Sequence, residues 1–169
     1  MSKSRASVPF QFVTQTSLIE LTGLKACDIY ELLEHLKAVP SAVIYYHTHH
    51  FLKQHQFLSP EPPNDFAYWV TNVLQEDRLG EQLAAIDTVR FASLRLLREA
   101  LAGAIERYLA KGRSTRVAPE GEEFHFMKAR SFVMATPYQA SSLQEFWEAI
   151  QKISLNSLYH HMFEARLRR

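Results

Sequence analysis

Residues 10–55 and 124–169 align without a gap at a constant offset of 114, and no other feature restricts so strongly what this chain can fold into. Nine of the 46 aligned pairs are identical: Phe10/Phe124, Phe12/Phe126, Ser17/Ser131, Thr22/Thr136, Ala26/Ala140, Glu31/Glu145, Glu34/Glu148, Tyr45/Tyr159 and His47/His161. The apolar rhythm carries more weight than the identities. Ile29, Leu32, Leu33, Leu36 and Val39 fall opposite Leu143, Phe146, Trp147, Ile150 and Ile153, which is one face of one helix written twice. The start of that helix is also written twice. Asp28 with Glu31, and Ser142 with Glu145, are each an N-cap acceptor followed three residues later by a glutamate that can reach back. Each copy opens on alternation, Phe10-Gln11-Phe12 and Phe124-His125-Phe126, which predicts a short strand or extended arm with both rings on one face, and a two-stranded pairing across the pseudo-twofold. The expected molecule is a mainly α, single helical domain with an internal pseudo-twofold and possible short strands at the repeat starts.

Pro40 is expected to end the first repeated helix near Val39, and Ser41 to cap a second one running on through AVIYYHTHHFLKQHQF. The segment between the copies has no second version. SerProGluProPro at 59–63 predicts a rigid connector, after which Asn64 or Asp65 caps a helix with Phe66, Trp69, Val70, Val73 and Leu74 inward. Asp77 restarts the chain for a short helix with Leu79, Leu83 and Ile86. Asp87 or Thr88 then caps a longer one, with Phe91, Leu94, Leu97, Leu101, Ile105 and Tyr108 facing in and Gly112 as its stop. Residues 112–123 are polar and rich in helix breakers. The chain thus reads as one domain over 1–169, made of a first unit 10–111, a linker 112–123 and a second, partial unit 124–169.

Composition bears on partners and compartment. Nineteen basic against eighteen acidic residues give a net charge of +1, which offers no general attraction to nucleic acid or to an anionic membrane. Cys27 is the single cysteine, so an intramolecular disulfide and a multi-thiolate zinc site are excluded. No apolar stretch approaches the length of a spanning helix, and the N-terminus lacks the apolar core of a secretion signal. The expected location is the cytoplasm.

Six of the eight histidines lie near the ends of the repeated segments: His47, His49, His50, His55, His160 and His161. Helical register turns His47 and His161 inward at equivalent places. Three readings compete. As a metal centre, His47 with His50 and His161 with Glu164 are each three apart on one helical face, so two facing helices would offer three imidazoles and a carboxylate to a divalent zinc, iron or manganese ion. As buried structural groups, His47 and His161 would each donate a ring N–H to Asp65, a tyrosine or a backbone carbonyl. As a general base, His47 beside Asp65 would serve a cleft lined by Tyr45, Tyr46, Tyr68 and Trp69, a lining that also suits a carbohydrate. The candidate ligand-binding residues are Tyr45, His47, Asp65, Trp69 and His161. Phosphate-loop, GxSxG, HExxH and CxxCH motifs are absent from the sequence.

Four stretches, ELTGLKA at 20–26, IYYHTHHFL at 44–52, PPNDFAYW at 62–69 and HMFEARLR at 161–168, resemble the bacterial domain-of-unknown-function family 5752, over almost the whole chain from Phe10. In such proteins the second copy continues into another segment like PPNDFAYW, so the resemblance implies a second half that is short here. It implies an arrangement, and no activity, substrate or cofactor.

The functional expectation is a cytosolic, non-catalytic binding or protein-interaction module; the alternative is a metal-dependent or His/Asp general-base enzyme with its site between the two units. The short second copy adds one more expectation. Phe66, Trp69, Val70, Phe91 and Leu94 should cover the first copy, whereas Trp147, Ile150, Leu158 and Met162 lack such a cover and need another partner. A homodimer through residues 140–169 follows.

Overall fold

A computed structural model describes residues 5–50 and 64–165. It overturns the expectation of a mainly helical fold. Two strands of 17 residues each, β1 (Phe10–Ala26) and β2 (Phe124–Ala140), pair as a two-stranded sheet. Contacts between Gln11 and the carbonyls of Thr136 and Tyr138, between Ser17 and Ser131, and between Thr22 and the Phe126 carbonyl run in opposite senses along the strands, so the ribbon is antiparallel. The fold is therefore mixed helix and strand. Apolar alternation ends at Phe12, so the sequence marks only the start of β1. Beyond it the ribbon carries polar residues inward at Gln15 and leaves Leu18, Leu21, Phe132 and Met134 exposed, and a strand with no single buried face has no period-two signature.

The helices are α1 (Ile29–Ala38), α2 (Ser41–Tyr45), α3 (Asp65–Asn72), α4 (Asp77–Ala84), α5 (Leu94–Leu109), α6 (Leu143–Ile150) and α7 (Leu155–Tyr159). Each of α2 and α7 runs on into a single π-helical turn, Tyr46–His50 and His160–Glu164. Both expected capping boxes form. Asp28 Oδ1 accepts the Glu31 N–H at 2.9 Å while Glu31 accepts the Cys27 N–H; Ser142 Oγ accepts the Glu145 N–H at 3.2 Å while Glu145 accepts the Ser141 N–H. Of the two cap candidates for α3, Asn64 is the cap. Other caps fall elsewhere than expected: α5 starts after Ser93 rather than Asp87 or Thr88, leaving Phe91 outside the helix. Ser41 lies inside α2, with Pro40 as its cap residue. The expected continuation of α2 beyond His50 and the connector at 59–63 lie outside the described residues.

The chain divides into two compact units, a central one of Ile19–Arg130 and a terminal one of Met1–Leu18 with Ser131–Arg169. Each strand contributes to both. The central core contains Ile29, Leu32 and Leu36 of α1, Val43 and Ile44 of α2, Phe66 and Val70 of α3, Leu79 and Leu83 of α4, Leu97, Leu101 and Ile105 of α5, and Phe124 and Phe126 of β2. Helix α5 touches both α1 and α2, while α3 packs on α4 and on the π turn after α2. Residues 112–123 form no helix or strand but are pinned: the Ala118 N–H donates to Cys27 O at 2.7 Å, and the Glu122 carbonyl accepts Trp69 Nε1–H. The terminal core is small, with Phe12, Ala140 and Ala149 buried and Tyr138, Phe146, Ile150 and Ile153 packed on them. Among the described residues no helix is long and apolar enough to cross a membrane.

Candidate functional site

The histidine expected at the centre of the chemistry is held from both sides. Pro40 starts α2, the Thr48 hydroxyl bonds back to the Ile44 carbonyl at 2.6 Å, and the π turn between them turns the His47 ring inward against Phe66, Phe124 and Phe126. Asp65 stands in the first turn of α3, where the helix dipole favours a carboxylate. Its Oδ2 lies 2.7 Å from His47 Nδ1, and His47 Nε2 accepts the backbone N–H of Met127 at 2.9 Å. An amide N–H only donates, so Nε2 carries the lone pair and Nδ1 the hydrogen that is given to Asp65. These two hydrogen bonds fix the ring's orientation, and only 4% of the side chain is exposed.

His161 repeats half of that pattern in the terminal unit. Its Nε2 accepts the backbone N–H of Val13 at 2.9 Å, and the Ser157 hydroxyl donates to the Val13 carbonyl at 2.6 Å. In the sequence His47 and His161 are 114 apart, as are Val13 and Met127, whose backbone N–H groups they accept. Burial, and secondarily the neighbouring His160, hold the His161 pKa below the usual imidazole value. In the same unit buried His160 gives its Nδ1–H to Gln15 Oε1 at 2.9 Å, Gln15 Nε2 donates to Ser131 Oγ at 3.1 Å, and Ser131 meets Ser17 at 3.1 Å.

The remaining candidates are placed in the core rather than around a cleft. Tyr45 is buried with its ring stacked on His49, whose pKa burial lowers to about 4 against a smaller opposing contribution from the Thr88 backbone. Trp69 is buried, gives its indole N–H to Glu122 O at 2.7 Å and meets Phe124 edge-on. Tyr68 is exposed, and the Tyr46 phenol is raised by burial and by Asp65. The structure thus joins His47 to Asp65 and assigns His161 to the other unit. The side chains of the metal candidates His50 and Glu164 lie outside those described, and among the described residues no group of three potential ligands assembles. Val13, Gln15, Met127 and Ser157 carry no signal of these roles in the sequence. Val13 and Met127 act through backbone atoms, and Gln15 and Ser157 have Ala129 and Val43 as their counterparts, so the repeat does not flag them.

The terminal unit presents an apolar helical face. Leu143 and Trp147, four residues apart on α6, are 89% and 64% exposed, and Leu155 and Met162 beyond them are also open. The residues 114 earlier than Leu143 and Met162, Ile29 and Thr48, are fully buried in the central unit, and Leu33, the counterpart of Trp147, packs against its core. Beside Leu143 is an open hollow of about 350 Å³ lined by Ala6, Ala140, Ser141, Ser142 and Phe146.

A family profile described as "Family of unknown function (DUF5752)" matches residues 7–169, and the chain belongs to that family. The solved structure of OrfY from Thermoproteus tenax is similar at 29% identity, with a TM-score of 0.87 over 97% of this chain and 74% of that one. No curated protein matches.

Proposed function

We propose that this family member is a non-catalytic protein-interaction module, working in the cytosol, whose contact surface is the apolar face of α6 and α7. The observation that carries the reading is the contrast in burial at positions 114 apart: Leu143 and Met162 are exposed where Ile29 and Thr48 are fully buried. An exposed apolar helical face marks a place where another surface sits. The state of His47 supports the non-catalytic part. A general base needs a lone pair aimed at substrate, and that of Nε2 is already occupied by the Met127 N–H. The single half-buried Cys27, its thiol pushed up by burial, fits a reducing compartment, and the near-zero net charge argues against nucleic acid as partner.

Replacing Trp147 by serine tests the reading. A contact residue outside the folding core should leave stability within about 0.5 kcal/mol of the parent. A loss of about 2 kcal/mol or more in urea unfolding at nanomolar protein, where no partner is bound, would show that Trp147 serves the fold of its own chain, and the reading would fall.

A further inference from the structure

We infer that the occupant of the α6–α7 face is a second copy of this chain, joined through a self-complementary twofold contact. The inference rests on the reading of that face as an interaction surface and names its partner. Leu143, Trp147, Leu155 and Met162 together expose roughly 600 Å² per chain, as much as the largest apolar patches of an ordinary monomer. Two such faces together would bury roughly 1,200 Å², which reaches the lower bound of a stable, specific interface.

The chemistry of the face favours a copy of itself over an unlike partner. Its exposed members are two leucines, a tryptophan and a methionine, so a twofold contact sets apolar surface against apolar surface and requires no complementary charge. Over residues 1–18 and 131–169 the sequence has Lys3, Arg5, Lys152, Arg166, Arg168 and Arg169 against Glu145, Glu148 and Glu164, a formal charge of +6 − 3 = +3, a modest repulsion that salt screens. Arg5 and Glu145 are paired at 3.0 Å, which neutralises two of those charges next to the face. The hollow beside Leu143 gives an apolar side chain of the opposite copy a place to enter.

Light scattering after size exclusion, from nanomolar to high-micromolar protein, tests the inference. The expected result is twice 19.5 kDa at high concentration, falling to 19.5 kDa on dilution and for Trp147→Glu at all concentrations. A charge at a solvent-facing site leaves the fold intact, which circular dichroism of the variant checks. Leu143→Glu provides a second, independent break of the same contact. A dimer that survives both variants, or a monomer at every concentration, would overturn the inference. Acrylamide quenching of Trp147 in a Trp69→Phe background then separates the two readings. A monomer with Trp147 quenched freely refutes only the second copy, whereas a monomer with Trp147 shielded removes the interaction surface as well.

Discussion

His161 Nε2 accepts the backbone N–H of Val13 at 2.9 Å, and this side chain with Ser157 engages both polar backbone groups of Val13. A two-stranded ribbon has two outer edges, and backbone groups left open there invite pairing with another chain. His161 closes one such group on β1, and His47 closes its equivalent, Met127, on β2. The two differ in bracing, because His47 has Asp65 on its second nitrogen.

That difference sets an order of stabilities. His47→Ala removes a hydrogen bond at each ring nitrogen and leaves a cavity among Phe66, Phe124 and Phe126, a loss of about 3 kcal/mol. His161→Ala, at a half-buried site where water can reach, should cost about 1 kcal/mol. Urea unfolding of the two variants checks this, and equal losses would contradict the role of Asp65.

Acid should weaken the fold through His49 before its carboxylates are protonated. The His49 pKa is lowered to about 4, so the native ring is neutral while the unfolded one takes a proton near 6.5. Its contribution is fully present above about pH 6.5 and is lost as pH falls toward about 4, a total of about 3 kcal/mol. His161, also shifted down, acts with the same sign. Stability measured at pH 7.5 and 4.5 should drop less in His49→Gln than in the parent; identical drops would exclude His49 as a source.

The matched helix starts predict matched costs. Asp28→Ala and Ser142→Ala each remove one capping acceptor, and each should lose about 1 kcal/mol. The double variant should lose the sum to within about 0.5 kcal/mol, since the caps share no partner. Chemical denaturation decides it, and a negligible loss at either position would show that cap to be idle.

Gly80 is required by a close approach of α4 to α3. A β-carbon there would fall within the van der Waals envelope of Thr71 Oγ1, so Gly80→Ala should cost about 1–3 kcal/mol. Adding Thr71→Ala removes that oxygen and should recover much of the loss. If the double variant is no more stable than Gly80→Ala alone, the crowding lies elsewhere.

The sequence by itself determined the helix starts at Asp28 and Ser142, the inward faces of α1, α3 and α5, and the inward turn of His47. Capping and amphipathic periodicity are local codes, legible wherever one face meets a core and the other meets water. The pairing of His47 with Asp65 could be proposed from residue types. Its other nitrogen could not, because the partner is the backbone N–H of Met127, which any residue but proline supplies. The long ribbon was illegible for a related reason: strand pairing is made by backbone atoms 100 or more residues apart, and a ribbon exposed on both faces writes no alternation into its side chains. Tertiary structure alone decided that α5 lies over α1 and α2 and leaves the matching Leu143 and Trp147 bare, since a helix face reads as equally apolar whether or not anything covers it.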